Sequence, residues 1–391
     1  MPFVVYLLGL TIFSLTTAEF MIAGMMPSLA AALDVSVGQV GYLISLYAVG
    51  MAIGGPVLTA LVLALRMQNK PALFWLLMLN VVGGVLAAMA PTYEVLAVAR
   101  VLMGVASSAC IGVSLTIAAH LVEPHARGRA ASFVLGGLMF SPVLGVPATA
   151  LIEQHFGWRA SFWAIAILSM ICTAVVALLV PASKSRAVVS LAAEFKSVLN
   201  GKLWAAYVTS GLIIGATFTA FTYFSPIFTE VTGFSAASIP WMLALYGVAN
   251  IVGNMVVGRL ADRHTLPVLA GGLALLCAGL AAFALFAENT VVSVGAFLVI
   301  GLTGVSLNPA MAARVMRAAS PGPLVNTMHT SIITAGLALG TWAGGAGIDG
   351  GYGLRSPLWV GTALALAGLL SLTPYLVSRL NRPVMTGCPQ A

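Results

Sequence analysis

Two charged residues, Glu19 and Arg100, lie inside long apolar stretches of the chain. Residues 11–27 read TIFSLTTAEFMIAGMMP, and Arg100 directly follows the apolar run VLAVA. A charge near the centre of a membrane helix costs roughly 2.5–3.5 kcal/mol on insertion scales, so such residues usually face a protein interior and have a function. A carboxylic acid that takes up and releases a proton beside a guanidinium would couple the protein to a proton gradient.

The composition identifies the elements that must hold these two residues. The chain has 391 residues, of which 60% are hydrophobic and 7% are charged, whereas an average soluble domain is about 25% charged. Because backbone polar groups must be paired in lipid, apolar runs that cross a bilayer must be helices. We predict an all-α membrane protein with twelve transmembrane helices, at about 4–31, 39–65, 71–90, 94–121, 130–152, 159–181, 203–229, 236–260, 266–287, 291–316, 324–347 and 356–379.

The net charge of +7 is explained by topology and does not indicate a nucleic-acid partner. If the N-terminus is cytoplasmic, fourteen of the seventeen Lys and Arg residues fall on cytoplasmic loops, and only Arg159 and Arg355 fall outside. This asymmetry follows the positive-inside rule. It predicts a multi-pass membrane protein, in contact with lipid, with both termini cytoplasmic. The first stretch has no basic n-region, so we expect a helix there and not a cleaved signal.

An internal repeat predicts how the helices are grouped. Residues 27–66 align with 226–265 at an offset of 199, and FGWRASFW (156–163) matches YGLRSPLW (352–359) at an offset of 196. We predict two six-helix halves, 1–181 and 203–391, joined by a cytoplasmic linker at 182–202. Parallel repeats of this kind bind substrate between the halves. At an offset of 199, Glu19 corresponds to Phe218 and Arg100 to Val299, so the second half lacks both charges.

Several motifs resemble those of one transporter family. They are the Glu-Phe pair in TTAEFMIAGMMP, the spacing of Arg100 and Gly104, the segment FGWRASFW, and NMVVGRLADR at 254–263. Together they resemble the twelve-span drug/proton antiporters of the major facilitator superfamily, and among these the chloramphenicol-efflux and arabinose-type exporters. The resemblance covers essentially the whole chain. It implies a transporter of a bacterial inner membrane that is not an enzyme, with a small-molecule substrate and protons as partners. We expect a monomer with no cofactor and no metal.

The resemblance also implies residues for conformational change. The fifth predicted helix carries a stripe of small residues with two prolines, like the fifth-helix motif of these antiporters, although ordinary small-residue packing explains the stripe equally well. The loop after the eighth helix resembles the G-x-L-A-D-R motif that holds the cytoplasmic side closed. The candidate conformational residues are Gly137, Ser141, Pro142, Gly145, Gly258, Arg259, Asp262 and Arg263.

The predicted function is proton-coupled export of small amphipathic drugs, with chloramphenicol-like antibiotics as candidates and antibiotic resistance as the result. Burial favours a neutral Glu19, whereas an approaching Arg100 favours its carboxylate; a static structural pair is the simpler alternative. Met and aromatic side chains form adaptable apolar pockets. The candidate substrate contacts are Phe20, Met21, Phe140, Phe221, Tyr223, Phe224, Tyr246, Asn250 and Asn308. An exporter of sugars or nucleosides, an uncoupled facilitator and a transporter-like sensor remain as alternatives.

Overall fold

The computed structural model describes residues 1–65, 67–181, 200–318 and 323–380. These residues contain twelve helices that are long and apolar enough to cross a membrane, which confirms the predicted fold class. In chain order they are α1 (Phe3–Gly24), α2 (Val37–Val62), α3 (Asn69–Ala88), α4 (Tyr93–His120), α5 (Arg127–Phe156), α6 (Trp158–Leu179), α7 (Gly201–Phe221), α8 (Ala236–Ala261), α9 (Arg263–Leu285), α10 (Thr290–Ala318), α11 (Val325–Tyr352) and α12 (Ser356–Tyr375). Most of the predicted linker, residues 182–199, lies outside the described residues.

Successive helices run in opposite directions, so the bundle has two ends. We call the end where α1 begins the near face and the opposite end the far face. At the far face α2 begins with a capping box: Ser36 Oγ accepts from the Gln39 N–H at 2.9 Å, and Gln39 Oε1 accepts from the Ser36 N–H at 3.0 Å. The side chains of Asn200 and Asn289 cap α7 and α10 in a similar way. These caps satisfy N–H groups that the first helical turn leaves unpaired.

The corners between α5 and α6 and between α11 and α12 show the predicted repeat. Gly157 and Gly353 occupy them with φ values of 81° and 77°, a conformation that glycine adopts without steric cost. The stripes of small residues are also equivalent. Gly137 on α5 packs against the backbone of α1, and Gly336 on α11 packs against the backbone of α7 at Gly211. The corner and the crossing therefore recur in both halves, as the repeat predicts.

The apolar core shows where the halves meet. One large cluster contains residues of both halves, among them Phe20 with Phe218. Towards the near face, a second cluster draws only on the first half, including Leu8 and Leu73, and a third draws only on the second half, including Leu203. The two halves thus share a core towards the far face, and at the near face each half has a core of its own.

The junction of α8 and α9 differs from the predicted loop. Helical hydrogen bonding continues from Ile239 to Leu285, and the direction changes at His264, which has φ −128° and ψ 39°. Arg259 and Arg263 lie exposed beside this kink. Nothing lies within 4 Å of a Cβ added at Gly258, so no neighbouring helix packs closely against this glycine in this conformation. The side chain of Asp262 lies outside the described residues.

Candidate functional site

Glu19 lies on α1, five residues before the helix ends at Gly24, and is only 5% exposed. Among the described residues, no hydrogen bond or ion pair involves the Glu19 carboxylate. Arg100 donates to the backbone carbonyl of Glu19 and not to its side chain. A buried carboxyl group without a partner is most stable when it carries its proton. A proton-coupling role for Glu19 stays a prediction.

Arg100, on α4, is fully buried and binds backbone carbonyls. Its Nη1 donates to the Ala18 carbonyl at 2.5 Å, its Nη2 to the Glu19 carbonyl at 2.7 Å, and its Nε to the Leu43 carbonyl at 3.2 Å. The guanidinium also lies over the Tyr47 ring, 4.3 Å from the centroid. Glu19 and Arg100 therefore lie at the same depth. Arg100 clamps the backbones of α1 and α2 to α4, and whether Glu19 and Arg100 couple protons or form a static structural pair stays open.

Glycines on α2 and α4 make this clamp possible. A Cβ at Gly104 would lie 2.9 Å from the Tyr47 carbonyl carbon, and a Cβ at Gly50 would lie 2.6 Å from the Val101 carbonyl oxygen. Ordinary contacts between carbon atoms are about 3.5–4.0 Å, so the two backbones touch only because side chains are absent. This close crossing brings α2 within reach of Arg100. It explains why a glycine stands four residues after the arginine.

The second half repeats the crossing with aromatic residues in place of charges. There a Cβ at Gly301 would lie 3.2 Å from the Tyr246 carbonyl oxygen, so Gly301 and Tyr246 correspond to Gly104 and Tyr47. The residue four positions before Gly301 is Phe297, whose ring centroid lies 5.2 Å from that of Tyr246. The counterpart of Arg100 is therefore Phe297, and the predicted correspondence with Val299 is wrong. The two halves differ in α10 by a shift of two residues relative to the offset of 199.

A stack of aromatic rings joins the halves directly beside Glu19. Phe20 on α1 stacks on Phe218 of α7 with centroids 4.9 Å apart and planes 14° apart, and Phe221 packs edge-on against both rings. Phe221 in turn contacts Tyr246 at 4.9 Å. Three of the predicted substrate contacts, Phe20, Phe221 and Tyr246, thus form one connected group at the junction of the halves.

The other predicted contacts are distributed more widely. Phe224 packs inside the second half, 4.4 Å from Phe297, and the Tyr223 hydroxyl donates to the Thr341 carbonyl at 2.8 Å. Met21 is fully buried, Phe140 is 54% exposed, and Asn250 is buried on α8 one turn after Tyr246. Asn308 is half-buried after the short turn Val305–Leu307 in α10. Their roles in binding substrate stay predictions.

The predicted conformational residues of α5 surround a π-helical segment, Ser141–Gly145. The Ser141 hydroxyl bonds the Thr17 hydroxyl of α1 at 3.0 Å, and Gly145 packs against the same Thr17. On the opposite side of this segment, Pro142 packs against Gly247 of α8 in the other half. The irregular segment of α5 therefore contacts both halves, as a hinge-like interface requires.

One contact between the halves, made by Asp349 at the far end of α11, was missed by sequence reasoning. Asp349 Oδ1 accepts from Ser36 Oγ at 2.6 Å, and Oδ2 accepts from the Tyr42 hydroxyl at 2.8 Å. Gly38 leaves room for the carboxylate, because a Cβ there would overlap it. At the other junction, Gln154 donates to the Ala236 carbonyl at 2.6 Å. All three of these bonds between halves lie at the far face, so this conformation is closed there.

The sequence is similar to known membrane transporters along its whole length. The family model described as Major Facilitator Superfamily matches residues 8–325. The chain is 31% identical over 380 residues to a chloramphenicol resistance protein of Streptomyces lividans, covering 96% of both chains. It is 34% identical over 373 residues to the inner membrane transport protein YdhP of Escherichia coli (strain K12), covering 95% of both. These relatives are not enzymes, and the predicted resemblance is confirmed.

A solved structure agrees with the fold. A bacterial homologue of the human lysosomal transporter Spinster, in an inward-facing and occupied conformation, superposes with a TM-score of 0.72 at 14% sequence identity, covering 98% of each chain. At this identity the likeness supports the fold alone. The fold agrees with the internal repeat and with the twelve helices described above.

Proposed function

The chain belongs to the Major Facilitator Superfamily, and from this premise we propose that it exports small amphipathic compounds in exchange for protons. The observation that supports this proposal most is Glu19, a buried acid whose carboxylate has no hydrogen-bond or ion-pair partner among the described residues. It lies next to Phe20, which takes part in the ring stack that joins the halves. Protonation of Glu19 and binding of an apolar compound against Phe20 would then compete with each other.

The direction of transport follows from the proposed topology. Fourteen of the seventeen Lys and Arg residues fall on near-face segments, and the positive-inside rule places such segments in the cytoplasm. The closed far face would therefore be external. With the cleft open to the cytoplasm, water reaches Glu19, the proton leaves and the compound binds. When the far face opens, the compound leaves and Glu19 takes a proton from outside. Neutral Glu19 then permits the return, because an uncharged acid costs less to bury.

The chemistry of the substrate is suggested by the difference between the halves. The first half presents Glu19 and Arg100, whereas the second half presents Phe218 and Phe297 at the corresponding positions. An aromatic wall suits a compound with an apolar ring. A relative is a chloramphenicol resistance protein, so chloramphenicol is the first compound to test.

The membrane potential acting on one proton supplies enough energy for the proposed export. At a membrane potential of about 150 mV, one elementary charge supplies roughly 3.5 kcal/mol. Since about 1.4 kcal/mol corresponds to a tenfold ratio, one proton could sustain roughly a 300-fold gradient of a neutral compound. Proton exchange therefore suffices without a nucleotide.

The test is uptake of radiolabelled chloramphenicol into everted vesicles, with and without a protonophore. We expect the wild-type protein to accumulate chloramphenicol until the protonophore is added. Glu19→Gln should still exchange chloramphenicol down its gradient but should not accumulate it, because the amide cannot carry the proton. Glu123→Gln, at a 79% exposed side chain of a near-face loop, is the matched control and should behave like wild type.

The outcomes separate the alternatives. Accumulation by Glu19→Gln would refute the assignment of the coupling acid. Accumulation by wild type that is insensitive to the protonophore would refute proton coupling. If wild type fails to move chloramphenicol, sugars and nucleosides become the next compounds to test.

A further inference from the structure

Two buried polar atoms on α8 have no hydrogen-bond partner in the part of the chain that the structure describes. They are the hydroxyl of Tyr246 and Oδ1 of Asn250, in side chains that are 2% and 5% exposed. An unpaired buried polar group destabilises a folded protein, and native proteins keep such groups chiefly where water or a ligand satisfies them. One of these atoms belongs to a hydroxyl that can donate, and the other is a carbonyl oxygen that accepts.

The two side chains lie close to the cleft between the halves. Residues four apart on a helix lie on the same side, and Asn250 shares its face with Leu243 and Gly247. A Cβ at Gly247 would lie 2.6 Å from the Pro142 carbonyl carbon, so α8 touches the first half there. Asn250 follows one turn nearer to the near face, where the halves have separate cores. Asn250 therefore lies beneath the contact at Gly247, and Tyr246 lies level with it.

The equivalent position in the first half is satisfied within the protein. Tyr47 corresponds to Tyr246, and its hydroxyl donates to the Leu15 carbonyl at 3.1 Å. Met51, which is apolar, corresponds to Asn250 at the offset of 199. The same helix crossing in the first half therefore has a hydrogen-bonded tyrosine hydroxyl and a methionine at these two positions. At these two positions the unpaired donor and acceptor occur in the second half, which also carries the aromatic wall; the first half has unpaired buried hydroxyls at other positions, such as Ser45 and Ser107.

We propose that Tyr246 and Asn250 form a polar subsite that binds one hydroxyl or amide group of the transported compound. The Tyr246 hydroxyl donates to the oxygen of that group, and Asn250 Oδ1 accepts its O–H or N–H hydrogen. The aromatic ring of the compound packs against Phe221 and Phe20, which are linked to Tyr246 through ring contacts. The assignment rests on the proposed export function and narrows its substrates to aromatic compounds that carry a hydroxyl or an amide.

The first test measures the subsite without any ligand, by thermal unfolding of the purified protein. Tyr246→Phe removes an unpaired hydroxyl, so the melting temperature should stay the same or rise. Tyr47→Phe, the matched control at the equivalent position, removes a paired hydroxyl and should lower the melting temperature. If Tyr246→Phe lowers it as much as Tyr47→Phe does, the Tyr246 hydroxyl already has a partner and the proposal is overturned.

The second test measures binding of chloramphenicol, which has an aromatic ring, two hydroxyls and an amide. Derivatives with one hydroxyl acetylated or with the amide nitrogen methylated each remove one donor. We expect one derivative to bind wild type about tenfold more weakly than chloramphenicol. Asn250→Leu removes the acceptor of that hydrogen, so it should weaken chloramphenicol about tenfold and abolish that difference. Tyr246→Phe removes the donor to the oxygen, which the derivative keeps, so it should weaken chloramphenicol and that derivative alike. Tyr352→Phe, at an 81% exposed tyrosine of the far face, should leave both affinities unchanged.

The outcomes distinguish this proposal from the export function. If Asn250→Leu weakens chloramphenicol and every derivative by the same factor, the pair does not bind the polar group and the proposal is overturned. If wild type does not bind chloramphenicol, the choice of that antibiotic is refuted, and the comparison of Tyr246→Phe with Tyr47→Phe still decides whether the subsite is unpaired.

Discussion

Gly104 on α4 lies so close to the backbone of α2 at Tyr47 that we can predict the effect of adding a single methyl group there. In Gly104→Ala the new Cβ would lie 2.9 Å from the Tyr47 carbonyl carbon and 3.1 Å from its Cα. Because the obstructing atoms are backbone atoms, α2 and α4 must separate by roughly 1 Å to restore ordinary contact distances. The bond from Arg100 Nε to the Leu43 carbonyl, now 3.2 Å, would then exceed hydrogen-bonding distance.

The magnitude follows from these two effects. Overpacking costs about 1–3 kcal/mol, and a hydrogen bond from a charged donor contributes about 1.5–3 kcal/mol. Alanine regains about 1 kcal/mol as the better helix former. We therefore expect Gly104→Ala to lower the free energy of unfolding by about 2–5 kcal/mol. Gly112→Ala is the matched control on the same helix, because nothing lies within 4 Å of its Cβ.

The buried thiols provide the assay. Cys110 is fully buried and Cys172 is 2% exposed, so a dye that fluoresces on reacting with thiols reports unfolding as the temperature rises. Gly104→Ala should melt several degrees below wild type, and Gly112→Ala should melt at or above it. Equal melting temperatures for the two variants would mean that α2 moves away from α4 without cost, and the reasoning from the Arg100 clamp would be refuted.

Three further predictions concern the clamp, the far-face contact and the ring stack. Arg100→Lys keeps the charge but lacks the planar fork, so it should lower the melting temperature in the same assay; an unchanged value would refute the three-carbonyl clamp. Asp349→Asn and Ser36→Ala each weaken the far-face contact; losing about 1.4 kcal/mol would shift the closed-to-open ratio about tenfold. Spin labels on the far ends of α2 and α11 would measure that shift, and unchanged distance distributions would contradict it. Phe20→Ala removes one ring of the stack on Phe218 and should raise downhill chloramphenicol leak from proteoliposomes, whereas a leak equal to wild type would show that other contacts seal the junction.

Sequence reasoning recovered the features that depend on periodicity and composition. The twelve helices followed from apolar runs, and the corner glycines Gly157 and Gly353 followed from the repeat. It could not recover the partners of Arg100, because spacing fixes the depth of a side chain but not which carbonyl it reaches. It also missed Asp349, since only the folded chain brings this residue to Ser36, 313 positions away. The correspondence of Arg100 with Phe297 required the structure because α10 is shifted by two residues.

The Arg100 clamp constrains how a proton on Glu19 could affect the rest of the molecule. The guanidinium holds the carbonyls of both Ala18 and Glu19, so the backbone of this part of α1 moves with α4. Protonation can therefore change the side chain of Glu19 and its hydration, but it cannot bend α1 locally without breaking these bonds. The adjacent Phe20 contacts Phe218 of the other half. Under the proposed mechanism, a change at Glu19 would therefore act through Phe20 on the junction of the halves, and relative motion of the halves is what alternating access requires.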